Sequence, residues 1–352
     1  MNHYFKSDCK NLVTFLFLQD FVLQRAKDTL VKIEYESDNF PPGLGRDLQG
    51  RNELHFSASE LLWAAITVGR AHMMDVTRYG VFSDAEILYR AAIVIANLAI
   101  DEEGRVIKSD AYIHLDPSEK GAVSYFLGLT FTKLLASRKL DCPWLLHLDV
   151  YRHLFPILPA LSRSRPDLIG RDITNRPIVF ESKGRTNKKD SGILAVAKRQ
   201  AELVTHVAGR PTYLNVGVVT HFIHNRLVVN WSDPPPSKKG FKLETTDEEY
   251  LKLYYQLVYN FLRDKKTERR GNFVVHYIES VDLAIGLDQR VYNTYEIGPL
   301  SKIKFDAQNT VRATFDVILE QDSFIGKDGI LITAGEHWGN KLSANRPKSR
   351  RG

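Results

Sequence analysis

Two periods of apolar and polar residues follow one another along this chain, and the changes of period mark its elements. Ile178-Val179-Phe180 is a β-branched and aromatic run that predicts a buried strand, and it leads directly into Glu181-Ser182-Lys183. Strand alternation places Glu181 and Lys183 on one face and Ser182 on the other. The polar, turn-prone stretch Asp172-Ile173-Thr174-Asn175-Arg176 precedes this strand and predicts a hairpin, which would bring Asp167 beside Glu181. Upstream, LDPSEKGAVSYFLGLTFTKLLASRKL predicts a helix, with Asp116 as N-cap, Pro117 in the first turn and Glu119 completing a capping box. At about 100° per residue, Glu119 aligns with Val123, Phe126, Thr130 and Leu134, the face expected to pack on the sheet. Downstream, SGILAVAKRQAELVTHVAG predicts a helix from Asp190 or Ser191 to Gly209. Its stripe is Ile193, Ala197, Ala201, Val204 and Ala208, with Gln200 inside the stripe and Lys198 at its border. Residues 213–220 then predict a further strand.

The flanks read as separate layers. Residues 57–100 carry two capping-box starts, at Ser57 and Ser83, each followed by an apolar helical segment. The proline-rich stretch 232–240 is the clearest break in the chain. Beyond it come a tyrosine-rich amphipathic helix over 247–264 and strand-like pieces at 272–280, 312–320 and 328–335. Tyrosines on such a helix suit core packing more than stacking on bases. The expected class is α/β, with a mostly helical N-terminal region over 1–110, a core over 111–231, an α/β region over 232–345 and a basic, disordered tail over 346–352.

Two carboxylates and a lysine converging on one point suit a divalent cation. Mg²⁺, with Mn²⁺ as a plausible substitute, takes oxygen ligands, commonly one or two carboxylates with waters and a substrate phosphate. Asp167 and Glu181 are the expected ligands, and the backbone carbonyl of Ser182 is a further one. Such an ion polarises a phosphoryl oxygen and acidifies a bound water. A lysine two residues after the second ligand suits orienting that water or stabilising the charge that develops on phosphorus.

Pro166-Asp167, followed by Glu181-x-Lys183, resembles the PD-(D/E)xK phosphodiesterase superfamily, the restriction-endonuclease-like fold, over roughly 116–230. The resemblance implies a core of helix, three-stranded meander, helix and strand, with 111–231 as the nuclease core. It implies an Mg²⁺-dependent endonuclease in which Asp167 and Glu181 hold the metal and Lys183 assists the attack. Glu119 matches the extra acidic ligand that many such nucleases carry on the helix before the motif, although a capping box explains the same residue. Gln200 and Lys198 match the polar or basic support found on the second helix; the bland alternatives are a structural hydrogen bond and a solvated lysine. Double-stranded DNA is the expected partner, in bacterial antiviral defence or DNA processing, with a homodimer or a regulatory protein as a further partner. The competing expectation is a catalytically silent or partner-activated nucleic-acid-binding module on the same fold.

Composition adds little but agrees. A net charge of +6 suits a polyanionic partner. Arg163, Arg165, Arg171, Arg176 and Arg185 cluster around the motif, with Lys188 and Lys189 in the following loop; of these, Arg165, Arg171, Arg185, Lys188 and Lys189 are the expected nucleic-acid contacts, together with Lys198. Two cysteines, Cys9 and Cys142, point to a reducing, cytoplasmic setting rather than a disulfide frame or zinc cluster. No stretch reads as a membrane span. Asp172 reads as a turn residue and Asp149 as structural. His221-x-x-His224 has ligand spacing without accompanying cysteines or acids, and Gly43-Leu44-Gly45 lacks the strand and helix of a nucleotide loop.

Overall fold

The hairpin expected around Asp172 forms. Strand β6 (Leu168–Arg171) runs antiparallel to β7 (Pro177–Gly184), with Leu168 opposite Phe180. Asp172 closes the connection: its Oδ1 accepts the Thr174 N–H at 2.9 Å and the Arg176 N–H at 2.8 Å, while Asn175 takes a left-handed φ of 66°. This is the turn role that its spacing suggested. The computed structural model describes residues 31–68, 81–148, 165–188, 190–233, 240–305, 322–335 and 338. Asp149, Arg163, Lys189, the tail and the strand expected at 312–320 lie outside these residues.

The hairpin sits within a mixed sheet. On one side of it, β5 (Trp144–His147) pairs antiparallel with β6. On the other, β10 (Leu214–Ile223) pairs parallel with β7, and β11 (Arg226–Ser232) returns antiparallel to β10. β1 (Val31–Asp38) lies parallel to β11, and β2 (Gly50–Phe56) is antiparallel to β1, giving the order β2-β1-β11-β10-β7-β6-β5. Two short strands, β3 (Leu98–Ile100) and β4 (Val106–Lys108), join this sheet through β11. The described part of the N-terminal region is therefore not mostly helical. It contributes α1 (Ala58–Thr67) and α2 (Val81–Asn97), but also four strands; α3 (Asp110–His114) begins at the boundary expected near residue 110, and the sheet crosses that boundary. β1 carries a period-2 signal that went unread: VKIEYESD alternates buried Val31, Ile33 and Tyr35 with Lys32, Glu34 and Glu36.

Helices cover both faces of the sheet. α4 (Pro117–Lys139) begins with the expected capping box. It meets the sheet through Ser124, Gly128 and Thr132, not through the stripe aligned with Glu119. Thr132 Oγ1 donates to Ser182 Oγ at 3.1 Å, so α4 covers the face to which Ser182 points. The small residues permit a close approach, and a Cβ on Gly184 would lie 1.8 Å from the Ser124 carbonyl oxygen. Relief would require the helix backbone to move away from the strand. Gly184→Ala is therefore expected to destabilise the protein by about 3 kcal/mol or more, read as a lower urea midpoint with an unchanged m-value.

α5 (Ile193–Ala201) covers the opposite face, where a Cβ on Gly217 would meet the Lys198 nitrogen at 2.7 Å. It is shorter than expected. Val204 begins β8 (Val204–Val207), which turns at Ala208 and Gly209, with φ of 52° and 72°, into β9 (Arg210–Pro211). The β-branched Val204, Thr205 and Val207 continue the helical stripe by phase but favour extended backbone. β12 (Phe241–Leu243) completes this small sheet.

The C-terminal part packs on the core through α6 (Asp247–Arg263). Tyr250, Tyr254, Tyr255 and Tyr259 are buried, and the Tyr250 hydroxyl lies 2.9 Å from both the Trp144 and Ile169 carbonyls, tying the helix to β5 and β6. These tyrosines are core residues, as helical packing suggested. A third sheet has the order β13 (Glu268–Arg270), β14 (Phe273–Ile278), β15 (Leu283–Asp288), β17 (Ile330–Ala334) and β16 (Asp322–Ile325), with α7 (Gln289–Thr294) following β15. The result is a mixed α/β protein. Among the described residues no helix is long and apolar enough to cross a membrane.

Candidate active site

Asp167 stands one residue before β6, and Glu181 lies near the end of β7. The Asp167 N–H donates to Glu181 Oε2 at 2.9 Å, and the Ser182 N–H donates to Asp167 Oδ2 at 3.0 Å. The two carboxylates are thus held side by side, Glu181 by the Asp167 N–H and Asp167 by the N–H of the residue after Glu181. Lys183 shares the face of Glu181 and pairs with its Oε1. Glu181 is 1 % exposed; burial first, and the neighbouring Asp167 charge second, push its carboxyl up to about 7, while Lys183 pulls the other way.

The Ser182 carbonyl is the expected third oxygen. Continuing the β6–β7 register beyond Leu168 and Phe180 sets Ser182 opposite Pro166. A strand residue directs its N–H and C=O to the same edge, and the Ser182 N–H already turns toward Asp167. Proline has no N–H with which to meet the carbonyl. The Pro-Asp pair therefore leaves a strand carbonyl without its ladder donor beside two carboxylates. Three oxygens on one edge form a set that suits Mg²⁺ or Mn²⁺, and the residues present fit such an ion. Among the described residues no group of three His, Cys, Asp or Glu side chains converges.

The remaining candidates fall elsewhere. Glu119 is exposed at the start of α4 and closes the capping box, its Oε2 accepting the Asp116 N–H at 3.2 Å. The structure does not bring it to Asp167 and Glu181, because α4 packs on the other face of the sheet. Gln200 is half-buried on α5, and its side chain makes no hydrogen bond among the described residues. Lys198 reaches Asp38 Oδ2 at 3.7 Å, at the end of β1, rather than the carboxylate pair.

Among the basic residues, Arg171 is a correction. It is 3 % exposed, bonds Asp247 at 2.6 Å and lies 4.2 Å over the Tyr250 ring, so it anchors α6 instead of facing a nucleic acid. Arg176 is tied to Asp172 at 2.6 Å and stacks 3.7 Å over Tyr213. Arg165 is half-buried just ahead of Pro166, and Arg185 Nη1 donates to the Gly184 carbonyl at 2.9 Å. Lys188 is exposed and lines a pocket of about 820 Å³ over β1, β10 and β11.

That pocket holds a line of polar residues across three strands, of which the sequence singled out only His221. His221 is buried, and its Nε2 lies 2.7 Å from Asn230 Oδ1; Asn230 Nδ2 donates to Glu36 Oε2 at 2.6 Å. The signal was the polar alternation of β1, whose partner strands no spacing rule could supply. Comparison of the chain with protein-family models, curated proteins and solved structures found no match in any of the three.

Proposed function

We propose that the chain is a metal-dependent nuclease that hydrolyses phosphodiester bonds in DNA, with a restriction-endonuclease-like core. The observation that carries this reading is the juxtaposition of the Asp167 and Glu181 carboxylates at the β6–β7 hairpin, with Lys183 paired to Glu181. The order of elements around them supports it: a helix, an antiparallel three-stranded meander, a second helix on the opposite face, and a strand parallel to the third. Three exposed or half-buried cations, Arg165, Arg185 and Lys188, flank the pair and supply the positive field that a phosphate backbone favours.

In this reading Asp167, Glu181 and the Ser182 carbonyl hold Mg²⁺ or Mn²⁺, which supplies Lewis acidity toward a phosphoryl oxygen. Glu181, protonated in part near neutrality, must release its proton to act as a ligand, and the Lys183 ammonium beside it favours the ionised form. Once the Glu181 charge is engaged elsewhere, Lys183 is free to turn to the substrate. Its ammonium then orients the attacking water by hydrogen bonding and offsets charge gathering on the phosphoryl oxygens.

The test is cleavage of labelled single- and double-stranded DNA by purified protein in Mg²⁺ or Mn²⁺, with EDTA as control. Metal-dependent cutting should vanish in Asp167→Ala. Lys183→Ala should lower turnover by about 10²-fold or more while leaving DNA affinity in EDTA within twofold. Cutting that survives Asp167→Ala, or wild-type protein that binds DNA and leaves it intact, would overturn the reading. The second outcome would favour the silent or partner-activated binding module.

A further inference from the structure

The pocket beside the carboxylate pair shares their face of the sheet. In register, Lys183 stands opposite Val219, Val219 opposite Asn230, and Asn230 opposite Glu36, so one cross-strand row leads from Lys183 to the pocket floor. Neighbouring strands lie about 4.8 Å apart, which puts Asn230 about 10 Å from Lys183. That is within a nucleotide or two of a phosphate held at the pair.

The floor is polar and fixed in orientation, with His221 and Asn230 buried and the Glu36 side chain 44 % exposed toward the pocket mouth. Glu36 is acceptor-only when ionised, so the Asn230 amide must turn its Nδ2 toward Glu36 and its Oδ1 toward His221. His221 then carries its proton on Nε2. Arg51 Nε lies 3.8 Å from Glu36 Oε1, too far for a hydrogen bond, so this oxygen is held only loosely. Glu34 lines the same pocket two residues earlier on β1. Around the rim, Lys188 and Arg226 form no ion pair among the described residues. The site therefore offers carboxylate acceptors at its floor, cations at its rim and an aliphatic wall from Ile223 and Val228.

We infer that this pocket binds one unpaired guanine nucleotide of the substrate strand, flanking the scissile phosphodiester; the inference rests on the nuclease reading for the identity of that strand. The N1–H and N2–H edge of guanine presents two parallel donors, which match a carboxylate. Thymine and uracil direct carbonyl oxygens at the same place and are repelled. The aliphatic wall takes the base plane, and Lys188 and Arg226 take the phosphate. A pocket of about 820 Å³ has room for one nucleotide and its ordered water. Recognition of this kind requires a single strand or a base turned out of its duplex.

The experiment separates this site from catalysis. Binding of dGMP and dTMP to the full chain is measured by calorimetry or NMR titration in EDTA, with no metal and no cleavage. Wild type should favour dGMP by about tenfold or more, the order that a bidentate base contact supplies. Glu36→Gln should erase the preference, whereas Lys188→Ala with Arg226→Ala should weaken both nucleotides equally. Equal binding of the two nucleotides by wild type, no binding of either, or an intact preference in Glu36→Gln would overturn the inference. The two readings fail separately. Asp167-dependent cleavage without dGMP preference would remove the pocket assignment alone. A Glu36-dependent dGMP preference in a protein that cuts nothing would remove the nuclease alone.

Discussion

Glu181→Gln is expected to abolish metal-dependent cleavage and, in metal-free protein at pH 8, to raise the melting temperature. The two effects have one cause. Burial and the Asp167 charge move the Glu181 carboxyl from 4.5 to about 7, so its ionised form is disfavoured in the fold relative to the unfolded chain. A raised carboxylate contributes stability that is complete below its unfolded value and is lost as pH rises through the folded value. The window therefore runs from about pH 4.5 to about pH 7, and above it the ionised carboxylate costs on the order of 3 kcal/mol. Glutamine keeps the shape and the acceptor for the Asp167 N–H without that cost. The melting temperatures of wild type and variant in EDTA should coincide near pH 4.5 and separate by several degrees at pH 8, the variant higher. Added Mg²⁺ should raise the wild type and leave the variant unmoved. A variant that melts lower than wild type at pH 8 would show that the Lys183 pair outweighs the burial. Stability yielded at a functional residue is the expected trade when a site needs a charge that the fold disfavours.

The same residues show where sequence reasoning reached and where it stopped. The hairpin, Asp172 in its turn, and the shared face of Glu181 and Lys183 were legible because each depends on a short segment: a two-residue period, an Asx turn, a β-branched run. The capping box at Asp116 and the N-cap at Ser57 were legible for the same reason, since a cap is settled within four residues; the expected return of Glu60 to Ser57 does not form, because Arg138 on α4 takes both of its oxygens. What failed depended on partners far along the chain. Arg171 looks like a phosphate contact until Asp247 and Tyr250, on a helix more than seventy residues later, close over it. Glu119 and Gln200 were placed by helical phase, but the face that α4 presents was decided by where Gly128 and Gly184 permit contact. Helical phase also carried α5 past its end at Ala201 to Gly209, because Val204 continues the stripe while its branched side chain and the Ala208-Gly209 turn favour a hairpin. The His221–Asn230–Glu36 line joins residues on three strands, and only the sheet order brings them together.

Asp328→Ala is expected to produce the largest loss of stability among single substitutions in the C-terminal part, about 3–5 kcal/mol. Asp328 lies just before β17 and is fully buried among side chains from three helices. Trp63 Nε1 on α1 donates to both of its oxygens at 3.2 Å, the Ile330 N–H donates at 3.2 Å, and the Tyr254 hydroxyl on α6 donates to Oδ2. Lys133 on α4, 0 % exposed, donates to that same hydroxyl at 2.7 Å and lies 4.5 Å over the Trp63 ring. A tyrosine hydroxyl thus bridges a buried ammonium and a buried carboxylate. Desolvation drives the Lys133 ammonium down to about 8 and the Asp328 carboxyl up, and each charge partly restores the other. Removing Asp328 leaves the ammonium without a counter-charge, held by the Pro143 carbonyl and the Tyr254 hydroxyl, and frees one of the contacts that seat the β16–β17 hairpin on α1, beside those of Ser59 to Asp322 and Ala334. Lys133→Met in the same protein removes the stranded charge and fills its volume with an apolar chain. The double variant should therefore recover most of the loss, with a coupling of roughly 2 kcal/mol or more in a double-mutant cycle. Urea unfolding of the four proteins at pH 7 measures it. Additive losses would mean that the two charges do not sense one another, and that the cost of removing Asp328 is that of its hydrogen bonds to Trp63 and Tyr254.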